Sequence, residues 1–418
     1  MIRSRILLPL LLLACSGVVS ALPILPEQET AAPAAQTPLT RGFQAMAARQ
    51  PEEAMRQFRE AIRLDPKSVL PWLGLADAAR LANKGPVVEE ALSKAMALAP
   101  DRAEPVIALA RWRIVNSAYD EAERLLRQAV KMDPKLATPL VDLGDFYASV
   151  RHDSQQAIGF YRDAVRVDPK SARAQTALGA MLLRQRDAIG ALAHLEAARD
   201  LADAKDAKPS LLLGKVYSVL RRWKDAQSAF SRAIAVQPRF ADAYVGRSVA
   251  FAAAGNRGKA LEDLRQAETI DPKNAEIPLR IGILQQEEGK AKEAYEAYGR
   301  AIEVDPRLTI AYNNLAWLAA SRRERLEEAL AWIKKARELA PKDSMFLDTH
   351  GWVLRVRGDL EGAASVLQEG VALKPSADLH YHLGVVQMER RHSEDARDNL
   401  RRALQLQPDF GEARDAKL

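Results

Sequence analysis

A phrase ending in proline recurs along this chain at a nearly constant step, and that step constrains the fold more than any other feature. Pro66, Pro100, Pro134, Pro169, Pro238, Pro272, Pro306, Pro341, Pro375 and Pro408 follow one another every 33 to 35 residues, with one doubled step between Pro169 and Pro238. In the clearest copy, Gly289 to Pro306, the residues Ala294, Tyr298 and Ala301 fall at i, i+4 and i+7. That is one stripe of an amphipathic helix, which Asp305-Pro306 then stops. Upstream of each proline lies a second stripe, such as Tyr312, Leu315 and Ala316, or Leu143, Gly144 and Tyr147. One unit is therefore two antiparallel helices. A lone pair cannot bury its own apolar face, so neighbouring pairs must stack to cover it.

Within a unit, two positions carry the packing. Ala122, Ala157, Ala191, Ala226, Ala260, Ala294, Ala329, Ala363 and Ala396 recur where the two helices cross most closely. Four residues on stands a bulky plug: Phe58, Leu126, Tyr161, Phe230, Leu264, Tyr298, Ile333 or Leu400. Pro71, Pro105 and Pro139 mark the starts of first helices, where a missing N–H costs nothing. Gly255, Gly289 and Gly358 mark turns that need positive φ. The fifth unit is irregular. Asp203 stands where proline is expected and the polar stretch 200–209 ends at Pro209, so it reads either as a hinge or as a turn of different chemistry.

These spacings resemble the tetratricopeptide repeat, with its 34-residue W-x2-L-G-x2-Y…A-x3-F…P pattern. From Ala35 to Phe410 the likeness covers about nine-tenths of the chain in eleven units. It implies an all-α, right-handed α-solenoid of helix–turn–helix units over residues 38–410, whose first helices line a concave groove that binds other proteins. The composition agrees: 48% hydrophobic, 28% charged and only 6% aromatic residues suit helices that approach through small side chains.

The start of the chain reads as a leader. Arg3 and Arg5 precede the apolar run Ile6 to Ala14, too short for a comfortable membrane span, and residues 1–21 have the anatomy of a secretory signal. Two cleavage readings remain open. Val19-Ser20-Ala21 suits ordinary signal peptidase, whereas Leu12-Leu13-Ala14-Cys15 resembles a bacterial lipobox that would lipidate Cys15, the sole cysteine. Ser16 after that cysteine resembles outer-membrane sorting. Residues 22–37, rich in Ala, Pro and Gln, read as a flexible linker, and 411–418 as a short tail. The expected location is thus the periplasm, with a lipid anchor in the outer membrane under the second reading and no other membrane contact.

Charge and motif content limit the chemistry. The formal net charge is +6, of which Arg3 and Arg5 in the leader supply two, and no polybasic run stands out, so nucleic-acid binding is not expected. There is no H-E-x-x-H, no G-x-S-x-G and no phosphate-cradling glycine loop. His380 and His382 are two residues apart, about 200° around a helix, and cannot jointly hold a metal. Each of the six histidines reads as isolated and solvated. No enzyme activity, cofactor or metal is expected.

The family resemblance implies which residues face the groove. In units three to six these include Arg111, Asp142, Asp145, Arg173, Arg184, Lys208 and Lys215, a mixed and partly basic wall. In units nine to eleven they are Asn313, Asn314, Trp317, Asp348, Trp352, Tyr381 and His382. Trp317 and Trp352 hold equivalent positions and should lie side by side, able to stack on a sugar or a peptide or simply to fill space between first helices. Asn314 matches a groove asparagine with which some members of the family hold a peptide main chain. The phrase Leu347-Asp348-Thr349-His350-Gly351-Trp352 is similar to the LDTLGW phrase of exported bacterial repeat lipoproteins of exopolysaccharide and exosortase systems, with His350 in place of leucine. The resemblance implies a non-catalytic envelope scaffold whose partners are envelope or polysaccharide-export proteins, with polysaccharide contact as an added expectation. The alternative is a peptide-binding assembly chaperone or an adaptor for an envelope enzyme.

Overall fold

The computed structural model describes residues 37–410; the leader, Cys15, most of the linker and the tail lie outside the described residues. Those described form 22 α-helices and no strand. Among them no helix is long and apolar enough to cross a membrane. They divide into two compact units at Leu220/Arg221.

The first unit contains α1 (Pro38–Ala47), α2 (Pro51–Leu64), α3 (Val69–Leu81), α4 (Gly85–Leu98), α5 (Ala103–Val115), α6 (Tyr119–Met132), α7 (Thr138–Ser149), α8 (Ser154–Val167), α9 (Ala172–Arg184), α10 (Ala188–Leu201) and α11 (Lys208–Val219). The second contains α12 (Trp223–Val236), α13 (Ala241–Ala253), α14 (Arg257–Ile270), α15 (Glu276–Glu287), α16 (Ala291–Val304), α17 (Thr309–Arg322), α18 (Leu326–Leu339), α19 (Ser344–Arg357), α20 (Leu360–Leu373), α21 (Ala377–Glu389) and α22 (Ser393–Leu406). Odd-numbered helices are the first of each repeat, even-numbered the second.

The two packing positions behave as their spacing requires. All nine alanines from Ala122 to Ala396 are fully buried, and the plugs are buried except Leu400 near the end, which is only partly covered. The aromatic plugs need a partner without a side chain. A Cβ added to Gly144 would sit 2.3 Å from the Tyr161 ring, and one added to Gly282 would sit 2.5 Å from Tyr298. The glycine on the first helix is thus what lets the plug of the second reach across.

The turn inside each repeat carries a signal that the sequence shows only in part. Gly255, Gly289 and Gly358 have φ of 82°, 75° and 90°, as their position demands. The same place in other repeats is left-handed without glycine: Arg49, Asn83, Ser117, His152, Arg186, Arg221, Arg323 and Arg391 all have φ between 55° and 65°. The hydrogen bonds explain it. Gly358 N donates to Arg355 O and Asp359 N to Leu354 O; likewise Arg323 N donates to Ala320 O and Glu324 N to Ala319 O. These reversed bonds satisfy the last carbonyls of the first helix, and they form only if one residue turns left-handed, whatever its side chain.

The fifth repeat closes by aspartate chemistry instead of proline. In several repeats an Asp before the proline accepts from the backbone two residues on, as Asp305 does from Arg307 N at 2.9 Å. Asp203 accepts from Lys205 N at 2.8 Å in the same way, and Asp206 then accepts from Lys208 N at 2.9 Å. The proline is dispensable there because the carboxylate already holds the turn.

Candidate functional site

In the second unit, α17, α19 and α21 are the first helices of three successive repeats. Each has a small residue turned toward its own second helix: a Cβ added to Gly351 would meet Leu367 at 2.4 Å, and one added to Gly384 would meet Leu400 at 2.9 Å. The residue after the small one is rotated about 100° away from that contact. In α17 and α19 this residue is Trp317 and Trp352, both half-buried.

The two indoles stack with ring centroids 6.2 Å apart at 27°. His382 of α21 joins them, 4.3 Å from Trp352 and 5.9 Å from Trp317. Asp348 of α19 fixes the imidazole through a 2.7 Å hydrogen bond to Nδ1. Tyr381 adjoins His382 at 5.6 Å and continues the cluster to Phe410. Five of the seven residues singled out in the sequence are therefore one assembly. The other two, Asn313 and Asn314, precede Trp317 by one turn of α17. Asn313 is buried, at 6% exposure, and its Oδ1 has no hydrogen-bond partner. Asn314 is half-buried beside the phenol of Tyr298, which burial holds protonated and which donates to Gln286 Oε1 at 2.8 Å.

The two tryptophans are not equivalent. The Arg355 guanidinium lies 4.2 Å from the Trp352 centroid and is itself paired with Glu389. With His382 also within 4.3 Å, Trp352 is largely engaged with its own chain. Trp317, whose ring neighbours lie at 5.9 and 6.2 Å, is the freer ring for a visitor. Arg355 and Glu389 were not legible as part of the site, because their partners lie across a repeat boundary.

The expectation of isolated, solvated histidines is corrected for four of the six, His152 and His392 being exposed. His350, His380 and His382 are buried and His194 is half-buried; each imidazole has a polar partner. Arg337 Nη1 donates to His350 Nδ1 at 2.8 Å, His380 Nδ1 meets Asn399 Oδ1 at 2.8 Å, and His194 Nδ1 meets Gln175 Oε1 at 2.8 Å. Burial, then the charges of Arg337 and Lys334, push His350 down to about 4. These partners lie 13 to 34 residues away, beyond the reach of any local pattern.

Of the wall expected in the first unit, Arg111, Asp142, Asp145 and Arg173 form a closed network, whereas Arg184 and Lys208 are exposed and Lys215 is half-buried outside it. Asp142 on α7 is buried and accepts from Arg111 Nε at 2.7 Å and Arg173 Nη2 at 2.5 Å. Arg173 also reaches Asp145 at 2.9 Å, and Tyr161 Oη donates to Asp145 at 2.7 Å. Burial pushes the Asp142 carboxyl upward, but the two guanidiniums more than reverse this and hold it below the usual carboxylate range. These charges are spent on one another.

Stacked helix pairs with a recurring 34-residue step define an α-solenoid repeat protein. Residues 211–275, 279–344 and 349–414 match the family model described as tetratricopeptide repeat, so these stretches are tetratricopeptide repeats. The chain is similar to tetratricopeptide repeat protein 6 of Homo sapiens, 25% identical over 194 residues that cover 46% of this chain and 37% of that one. It is also similar to small glutamine-rich tetratricopeptide repeat-containing protein 2 of Mycosarcoma maydis, 32% identical over 117 residues, 28% of this chain and 32% of that one. The matched stretches thus span about a third of each relative. Among solved structures, a tetratricopeptide repeat protein from Parabacteroides merdae aligns with a TM-score of 0.46 at 18% identity, over 62% of this chain and 98% of that one. Solenoids of this family generally act as scaffolds that bind other proteins.

Proposed function

We propose that this protein is a non-catalytic scaffold or adaptor of the bacterial cell envelope that docks partner proteins on the first helices of its last repeats, in the synthesis or export of an exopolysaccharide. The observation that carries the docking face is the assembly of Trp317, Trp352, His382 and Asp348, in which half-exposed indoles are held by buried polar groups. Such pre-ordered aromatic surfaces bind at low entropic cost. The envelope assignment rests on the leader, residues 1–21, and on the Leu347 to Trp352 phrase. A pull-down from envelope extract with the parent chain and a Trp317→Ala/Trp352→Ala variant tests the face: polysaccharide-export proteins should be lost from the variant, and unchanged partners would remove the site. Mass spectrometry of the mature N-terminus separates a diacylated Cys15 from a free Leu22.

The half-buried Asn314, one turn before Trp317 on α17, favours a second reading: an assembly chaperone or enzyme adaptor that holds an extended peptide in the same place. A partner recovered as an unfolded or exported substrate, instead of as a folded component of export machinery, would favour it.

A further inference from the structure

The first unit has a cavity of about 620 Å³ between the α1–α2 turn, α2 and the start of α4. Its rim is charged. Arg49 comes from the turn, Glu52, Glu53, Arg56 and Arg59 from α2, and Lys84 from the residue before α4. All four cations are exposed, and the buried Met55 lines the cavity between them. Arg56 is paired with Glu53, which also accepts from Gln57 Nε2 at 2.8 Å. Arg49, Arg59 and Lys84 have no side-chain hydrogen bond or ion pair with any described residue. The acid left over, Glu52, stands in the first turn of α2, where the positive end of the helix offsets it. Uncommitted positive charge therefore outweighs negative charge around this cavity.

Local structure makes the cations converge. Arg49 is left-handed, with φ 57°, and its N–H donates to Met46 O at 3.0 Å, which closes α1 and leaves the side chain outside the turn. Glu52, Arg56 and Arg59 fall at i, i+4 and i+7, one face of α2. Lys84 follows the left-handed Asn83 as Gln50 follows Arg49, so the stacking of one repeat on the next brings it to the same edge. The second unit has a cavity of about 540 Å³ at the corresponding turn before α14, lined by Arg257, Glu287 and Glu288. There Arg257 is paired with Glu287 at 3.3 Å, and Glu288 with Lys290 at 2.7 Å. That cavity is neutralised by its own chain, and the first is not.

We propose that the cavity at Arg49, Arg59 and Lys84 binds the phosphate of an anionic phospholipid headgroup and so sets the first repeats against a membrane surface. Guanidinium forks match phosphate oxygens in pairs, and the lysine adds a compact charge beside them. The choice of a lipid as the source of the phosphate rests on the envelope reading above. With Cys15 acylated, the chain from Cys15 to Thr37 spans at most about 70 Å, so these repeats are the ones tethered to the bilayer by the shortest stretch of chain.

The test uses the full chain carrying Cys15→Ser, which cannot be acylated, with vesicles of phosphatidylcholine alone and of an equal mixture of phosphatidylcholine and phosphatidylglycerol. The ratio of the two affinities cancels what the leader contributes to both. Each cation at an anionic bilayer contributes about fivefold, so Arg49→Gln/Arg59→Gln/Lys84→Gln should lower the ratio about a hundredfold. Lys94→Gln/Lys131→Gln/Lys170→Gln removes the same charge at exposed positions outside the cavity and should lower it less than about fivefold. An equal fall in both variants, or a parent without preference for phosphatidylglycerol, would overturn the proposal. In the second case, soluble glycerol phosphate and an oligogalacturonate show whether a free phosphate ester or an acidic sugar takes the cavity instead. Failure on vesicles leaves the N-terminal mass spectrum, and with it the envelope reading, untouched.

Discussion

The first helices of the two units put polar residues at the same places in the repeat and use them in opposite ways. On α5, α7 and α9, Arg111, Asp142, Arg173 and Asp145 neutralise one another, with Tyr161 closing the network from α8. On α15, α17, α19 and α21, Arg280 has only Glu276 of its own helix set against it and the Asn313 Oδ1 has no donor, while Trp317, Trp352 and His382 form a stack. A satisfied network ties neighbouring repeats together, and its residues have no capacity left for a visitor. An unsatisfied one destabilises the free chain slightly, and the half-buried side chains beside it keep surface available. One scaffold can therefore be rigid in one stretch and receptive in another without any change of fold.

This contrast can be broken by mutation. Asp142→Ala leaves Arg111 and Arg173 facing each other across a buried gap and should cost about 3 to 5 kcal/mol in urea unfolding. If it costs no more than a surface substitution, the network is decorative and the comparison fails. Phe230→Ala removes a plug at 1% exposure and should cost about 2 to 5 kcal/mol, against clearly less for the partly covered Leu400→Ala. A melt of Phe230→Ala indistinguishable from the parent would refute the packing scheme.

His350 sharpens the comparison through pH. Its folded value of about 4 lies below the ordinary 6.5, so below pH 6.5 the unfolded chain takes up a proton that the folded chain refuses. Stability should therefore fall as pH drops from 6.5 to 4, by roughly 3 kcal/mol in total, and His350→Leu should flatten that part of the profile. Unfolding curves at pH 7 and pH 4.5 decide it. Asp142 works in the same direction further down: its depressed value means that the stability it contributes is lost only as pH falls through that lower value.

The smallest effect concerns the turns. Arg323, at φ 55°, holds a conformation that costs an L-residue about 1 to 2 kcal/mol, and glycine relieves this while adding freedom to the unfolded chain. Arg323→Gly should raise stability by about 0.5 to 1 kcal/mol in a thermal melt. A loss of stability would mean that the Arg323 side chain has a structural task of its own there, apart from the Arg322–Glu324 ion pair beside it.

The repeat length, the pairing of helices, the crossing alanines, the plugs and the three glycine turns were all readable, because each is a short-range pattern fixed by helix geometry. Trp317 and Trp352 were readable as neighbours for the same reason, being one residue beyond Ala316 and Gly351. What each polar side chain would meet was not. Asp348 and His382 are 34 residues apart, Arg111 and Asp142 are 31 apart, and Arg355 and Glu389 are 34 apart. Whether such a pair closes depends on a few ångströms of offset between stacked repeats, and the period is blind to that offset.

The amino-acid sequence by itself thus determined a ladder of helix pairs, because the apolar stripes and their stops repeat in step and leave stacking as the way to bury them. The tertiary structure alone decided which charges cancel, which histidines are dry, and that the buried Asn313 Oδ1 goes without a donor. Those outcomes are set by side chains meeting across repeats, where hydrogen bonds succeed or fail within tenths of an ångström.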